Sequence, residues 1–209
     1  MTQKFHLHKA RLETLVDGVF AIAMTILVLE VKVPTIADKY SALDLLHALA
    51  HDGVVIFAYF VSFSALGVFW VWHHKLTEKV TEIDLPLLIC SLAFLSLVCF
   101  FPFVAALFGR YPLNLTANIV YVVLLGLILA SQTLFFWMAM RRKKIAECIT
   151  PSDAFGTHRI NLLSLAIYCL SLSATGLRIS IYAALTCVLA GLFLLWRFKQ
   201  AKKKSALQS

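Results

Sequence analysis

The stretch RLETLVDGVFAIAMTILVLEVKVP places two carboxylates, Asp17 and Glu30, and one ammonium, Lys32, inside or at the ends of an apolar run. Charged groups in such runs are costly in hydrocarbon, and they mark either ion and proton pathways or structural pairs within the fold. A second polar cluster, His73 and His74 in FWVWHHK, closes another apolar run. Successive helical residues point about 100° apart, so the two imidazoles are poor joint ligands for one metal, and no third ligand follows at a suitable spacing. A satisfied histidine at the membrane interface is the plain reading, while titration near neutrality leaves pH sensing open. Asp17, Glu30, His73 and His74 form no paired-acid, nucleophile or metal-ligand pattern, which argues against an enzyme. The cysteines, Cys90, Cys99, Cys148, Cys169 and Cys187, have no C-x-x-C spacing and read as packing residues.

These side chains must be positioned by membrane helices. With 61% of its 209 residues hydrophobic and 14% charged, the chain has more apolar surface than a soluble domain of this size buries. The net charge of +8 comes from basic residues lying between apolar runs, which argues for membrane topology and against nucleic-acid binding. Spanning the hydrocarbon core by helix takes about 20 mostly apolar residues. Six runs qualify, near residues 14–34, 53–73, 84–108, 115–140, 160–177 and 178–197, followed by a basic tail over 198–209. The expected fold class is therefore an all-α integral membrane protein, with one six-helix transmembrane domain over residues 1–209. The last two runs share one stretch punctuated only by Gly176 and Arg178, so five spans stay open.

The polar start and the absence of a small-residue cleavage site predict a retained first helix. SALDLLHALAHD, between the first two runs, reads as a short amphipathic helix at the outer interface, with Ser41 as N-cap. Pro86, Pro102 and Pro112 predict an irregular third run, and Asn114 opens a glycosylation sequon of little weight so near the membrane. Six spans put fifteen Lys and Arg on the side of the termini and four, Lys32, Lys39, Arg110 and Arg178, on the other. By the positive-inside rule both termini are cytoplasmic, with an even number of spans.

On the first helix, Leu15, Gly18, Ile22, Thr25, Ile26, Leu29 and Val33 fall on one stripe, with Asp17 about 140° from Ile22 and Glu30 about 80° from it. A stripe of aliphatics with one hydroxyl ordinarily packs helices or faces lipid, so spacing alone does not make a pore. The direction of Asp17 favours a structural role, with His73, His74 or Arg11 as partner. Glu30 either draws cations toward an outer mouth or pairs with Lys32 or another loop.

The same stretch resembles the first-helix signature of the transmembrane protein 175 family, the endosomal and lysosomal potassium channel and its bacterial homologues. Arg11, Asp17, Gly18, Glu30, Val33 and Pro34 fit its pattern of an Arg, a Phe-Ser-Asp triplet and a glycine-containing aliphatic helix ending in Leu-acid-Ile/Val-x-Val-Pro. Leu15 and Val16 replace the aromatic and the hydroxyl of the triplet, so contacts made by those two do not carry over. Trp70, His73 and His74 are similar to the end of the family's second helix.

The resemblance implies a potassium channel assembled as a homotetramer of six-helix subunits, the first helix of each lining the pore. It implies a constriction at Ile22, with Thr25 one turn outward, Ile26 on the same face and Leu29 beyond. It further implies potassium and other monovalent cations as permeant ions, no cofactor and no metal. Other copies of the chain and membrane lipids are the implied partners, and the cell membrane of a bacterium is the implied location. No TVGYG-like segment occurs, so selectivity has to come from side-chain rings. An Ile22 ring gates by dewetting, and Thr25 hydroxyls replace part of the hydration shell. The signature occurs once, so a symmetric pore needs several copies of the chain. The rivals are a secondary transporter, which would show internal repeats or broken helices, and a proton-permeable cation pathway.

Overall fold

The computed structural model describes residues 8–145, and within them the regular elements are helical. In chain order they are α1 (Lys9–Ile26), continued by a 3₁₀ turn (Leu27–Glu30), α2 (Ala42–His51), α3 (Gly53–Glu78), α4 (Leu85–Arg110) and α5 (Leu115–Arg141). Four of these, α1 with its 3₁₀ turn, α3, α4 and α5, are long and apolar enough to cross a membrane. The runs expected at 160–177 and 178–197, the basic tail and Cys148, Cys169 and Cys187 lie outside the described residues.

Local chemistry sets the starts of three helices. Ser41 Oγ accepts the Asp44 N–H at 3.2 Å and caps α2. Asp84 Oδ1 accepts the Leu87 N–H at 3.2 Å and caps α4, and Pro86 sits in the first turn, where no helical partner for its missing N–H is needed. Asn114 Oδ1 takes the Thr116 and Ala117 N–H groups at 2.9 and 3.3 Å, so the sequon asparagine is the N-cap of α5.

Two expectations are corrected here. The third run is one continuous helix through a buried Pro102, because Pro86 lies in its first turn and Pro112 beyond its end. The first helix begins earlier than residue 14 and ends before residue 34. It tightens to 3₁₀ after Ile26 and leaves the helix at Val31, where β-branched Val31 and Val33 precede Pro34 and favour extended backbone. Val33 is therefore not on a helical stripe at all.

The helix α4 is the centre of the described bundle, packing on α1, α3 and α5, while α1 touches α3 and α4 but not α5. Its residues Leu87, Phe94, Val98, Phe101 and Val104 have no exposed surface. Gly109 lets α4 approach α3 closely, since a Cβ there would lie 3.3 Å from that of Ala58. Between α3 and α5 the ties are polar: Ser62 Oγ lies 3.2 Å from the Tyr121 hydroxyl, and Gln132 Nε2 donates to the Phe69 carbonyl at 2.9 Å. In lipid, where helices gain little from hiding apolar surface, such close packing and hydrogen bonds hold the bundle together. The α3–α4 connection is pinned to the end of α5 by the Thr81 N–H to Lys144 carbonyl bond of 2.8 Å and by a single bridge between Val80 and Ile145.

Candidate ion-conducting face

The helix α1 has two apolar faces with different fates. Leu12, Val16, Phe20, Ala23 and Leu27 recur at three- and four-residue steps and are buried against α3 and α4, with the Phe20 ring 5.9 Å from that of Phe94. On the other side Leu15, Gly18, Ile22, Thr25, Ile26 and Leu29 are exposed, Ile22 at 60% and Leu29 at 72%. Among the described residues Gly18 has no packing reason, because an added Cβ would meet nothing within 4 Å. Thr25 Oγ1 donates to the Ile22 carbonyl at 2.8 Å. Its proton is thereby engaged with the helix, and the lone pairs stay free to accept from the open side.

Two polar residues of the N-terminal half of α1 reach α3: Lys9 Nζ donates to the Glu78 carbonyl at 3.2 Å, and Asp17 meets Trp70. Asp17 accepts the Trp70 indole N–H at 2.8 Å, so its hydrogen-bond partner is Trp70 and not His73, His74 or Arg11. Trp70 in turn stacks on His74, ring centroids 6.1 Å apart, and His74 Nε2 lies 3.3 Å from Glu78 Oε1. Arg11 is exposed in the first turn of α1. The expectation of a satisfied interfacial histidine fails for His73. One position from His74, its side chain turns into the bundle, stacked at 4.4 Å on Phe94 and tilted 5.5 Å from Phe135. Neither ring nitrogen has a hydrogen-bond partner among the described residues.

At the other end of α1, Glu30 pairs with Arg110 at the close of α4, at 3.1 Å. The 3₁₀ turn, with its tighter rotation per residue, brings the carboxylate to α4 and away from Lys32. Sequence reasoning missed Trp70 and Arg110 as partners. For Trp70 a signal exists, because an indole N–H near an apolar core needs an acceptor and Asp17 is the carboxylate at that depth.

The Asp17–Trp70 bond separates three variants. Asp17→Asn keeps an acceptor and should lower thermal stability least, whereas Asp17→Ala and Trp70→Phe should each cost about 1 kcal/mol, the bond being partly exposed. Melting of the detergent-solubilised protein measures the order. An Asp17→Asn protein less stable than Asp17→Ala would show that the charge, and not this bond, matters.

Spanning-length helices with their charged groups gathered near the helix ends define a multi-pass membrane protein. Residues 11–102 match the family model described as endosomal/lysosomal potassium channel TMEM175. Among curated relatives, a potassium channel of Streptomyces collinus is 36% identical over 126 residues, 60% of each chain. A potassium channel of Chamaesiphon minutus is 35% identical over 125 residues, 60% of this chain and 61% of the relative. The matched segment thus spans about three fifths of these relatives' length. The human endosomal/lysosomal proton channel TMEM175 is 32% identical over 80% of this chain and 35% of its own. The crystal structure of a lysosomal potassium-selective channel TMEM175 homolog from Chamaesiphon minutus superposes with a TM-score of 0.76 at 26% identity, covering 90% of this chain and 96% of that one. The family match and the bacterial potassium-channel relatives are thus likenesses over part of the chain, and the matched residues 11–102 run from the first turn of α1 through α3 into α4.

Proposed function

We propose that this chain is a potassium-selective cation channel and not an enzyme, passing ions along the exposed face of α1 in a homotetramer of six-helix subunits. The observation that carries the proposal is the second apolar face of α1, which the described residues leave uncovered although the family match includes it. Four such faces around an axis enclose a path narrowed by Ile22. Thr25 lies one turn further on, and its free lone pairs can stand in for hydration water. Both termini face the cytoplasm in this reading, in the cell membrane of a bacterium, and the path needs no cofactor. Asp17 braces α1 against α3 away from the path, and Glu30, held by Arg110, lies near its outer end.

A second reading, a proton-permeable cation pathway, is favoured by the animal relatives, whose name is that of a proton channel. Reversal potentials of the purified chain in planar bilayers, under separate potassium, sodium and proton gradients, decide between them. The expected result is a potential that follows the potassium gradient and moves less with sodium. A potential tracking pH alone would support the second reading. Substrate exchange without passive current would replace both with a transporter.

A further inference from the structure

The end of α5 carries four consecutive basic residues, Arg141, Arg142, Lys143 and Lys144. Two of them are neutralised by the α3–α4 connection: Arg142 Nη1 lies 2.8 Å from Asp84 Oδ2, and Lys144 pairs with Glu82. The alternate two, Arg141 and Lys143, are exposed, and among the described residues no carboxylate pairs with either. Arg141 instead lays its guanidinium 4.0 Å over the part-exposed Trp137 ring. A Trp with a cation beside it is the combination that membrane proteins set at the boundary between acyl chains and headgroups. Below Trp137 the exposed surface of α5 continues through Leu134 and Leu127, an apolar track seven residues apart that ends at Arg141.

The backbone adds an independent observation. The helix closes with the Lys143 N–H on the Met140 carbonyl at 3.1 Å and the Lys144 N–H on the Ala139 carbonyl at 3.0 Å, with Lys143 at φ 54°. That left-handed position favours glycine or asparagine, and a lysine there is strained. Strain kept at an exposed cation without a carboxylate partner is the kind of feature a ligand explains.

We propose that Arg141 and Lys143 bind the phosphate of an anionic phospholipid, its acyl chain lying along Trp137 and Leu134. Each of the two cations supplies a charge at headgroup depth, and the neutralised pair Arg142 and Lys144 fixes the turn that presents them. The site is independent of the channel reading, since it uses no residue of the α1 face.

The test is retention of phosphatidylglycerol against phosphatidylcholine by the full-length protein in detergent, read by native mass spectrometry, with melting temperature measured with and without lipid. The parent should retain phosphatidylglycerol selectively. Lys143→Gly and Arg141→Gln should each lower that retention about fivefold, the factor expected for losing one cation near a headgroup. Lys143→Gly should melt, without lipid, at or above the parent's temperature, because glycine fits the left-handed turn. Unchanged retention in both variants, or equal retention of phosphatidylcholine, would overturn the proposal. So would a fall in the lipid-free melting temperature that accounts for the loss in Lys143→Gly, if Arg141→Gln retains lipid normally. Sodium phosphate raising the melting temperature as much as phosphatidylglycerol would assign the site to a free anion instead.

Discussion

Phe94→Ala should unfold this protein at markedly lower temperature than any substitution on its lipid-facing surface. Phe94 sits mid-way along α4 with no exposed surface, its ring stacked on His73 of α3 at 4.4 Å and 5.9 Å from Phe20 of α1. Truncation removes the wall that three helices share, and it leaves His73, whose ring nitrogens have no hydrogen-bond partner among the described residues, facing a void. A buried Phe→Ala change typically costs about 3–5 kcal/mol, and in lipid the loss falls on packing, the main force that holds the helices together. Phe94→Leu, which keeps most of the volume, should cost about 1 kcal/mol. The control is Phe103→Ala on the same helix, exposed at 59%, for which little change is expected. Melting curves by fluorescence-detected size exclusion compare the three. Equal melting of Phe94→Ala and Phe103→Ala would mean that α4 does not centre the bundle.

The contrast between Phe94 and Phe103 also marks where sequence reasoning stops. The four described spanning helices stand out as long apolar runs, and the caps at Ser41, Asp84 and Asn114 are residue types that favour such positions. Which face of each helix is buried is another matter. In water the outer face of a helix turns polar and betrays the inner one, but in lipid both faces are aliphatic, so FVSFSALGVF and LAFLSLVCFF show little contrast between core and surface. The stripe of α1 through Ile22 can be drawn on a helical wheel, yet its exposure depends on α3 and α4 covering the opposite stripe. Polar partners are harder still. Trp70 lies 53 positions from Asp17 and Arg110 lies 80 from Glu30, distances at which only the folded bundle says who meets whom. The wheel also fails at Glu30 and Val33, because the 3₁₀ turn and Pro34 end the period on which it rests.

Ile22→Asn should raise the current through the reconstituted protein while lowering its preference for potassium. In the proposed tetramer a ring of four isoleucines would offer water no hydrogen bond, so the path at that level would empty easily and ions would meet a barrier. Asparagine wets it, and removing about 1.4 kcal/mol from the barrier multiplies current about tenfold. Thr25→Val acts differently. It keeps the shape but removes an oxygen whose proton is engaged by the Ile22 carbonyl and whose lone pairs face the open side, so potassium should lose its advantage over sodium with little change in total current. Ala21→Val, exposed but off the stripe, should leave both properties alone. None of these side chains contributes to the buried core among the described residues, so the subunit fold should persist in all three variants, and in those that also assemble like the parent a change in current is attributable to the path itself. Single-channel conductance and reversal potential under potassium and sodium gradients measure the two effects separately. If Ile22→Asn and Thr25→Val assemble and both conduct and select like the parent, the open face of α1 does not line the path, and its exposure has to be assigned to lipid or to contact between copies of the chain.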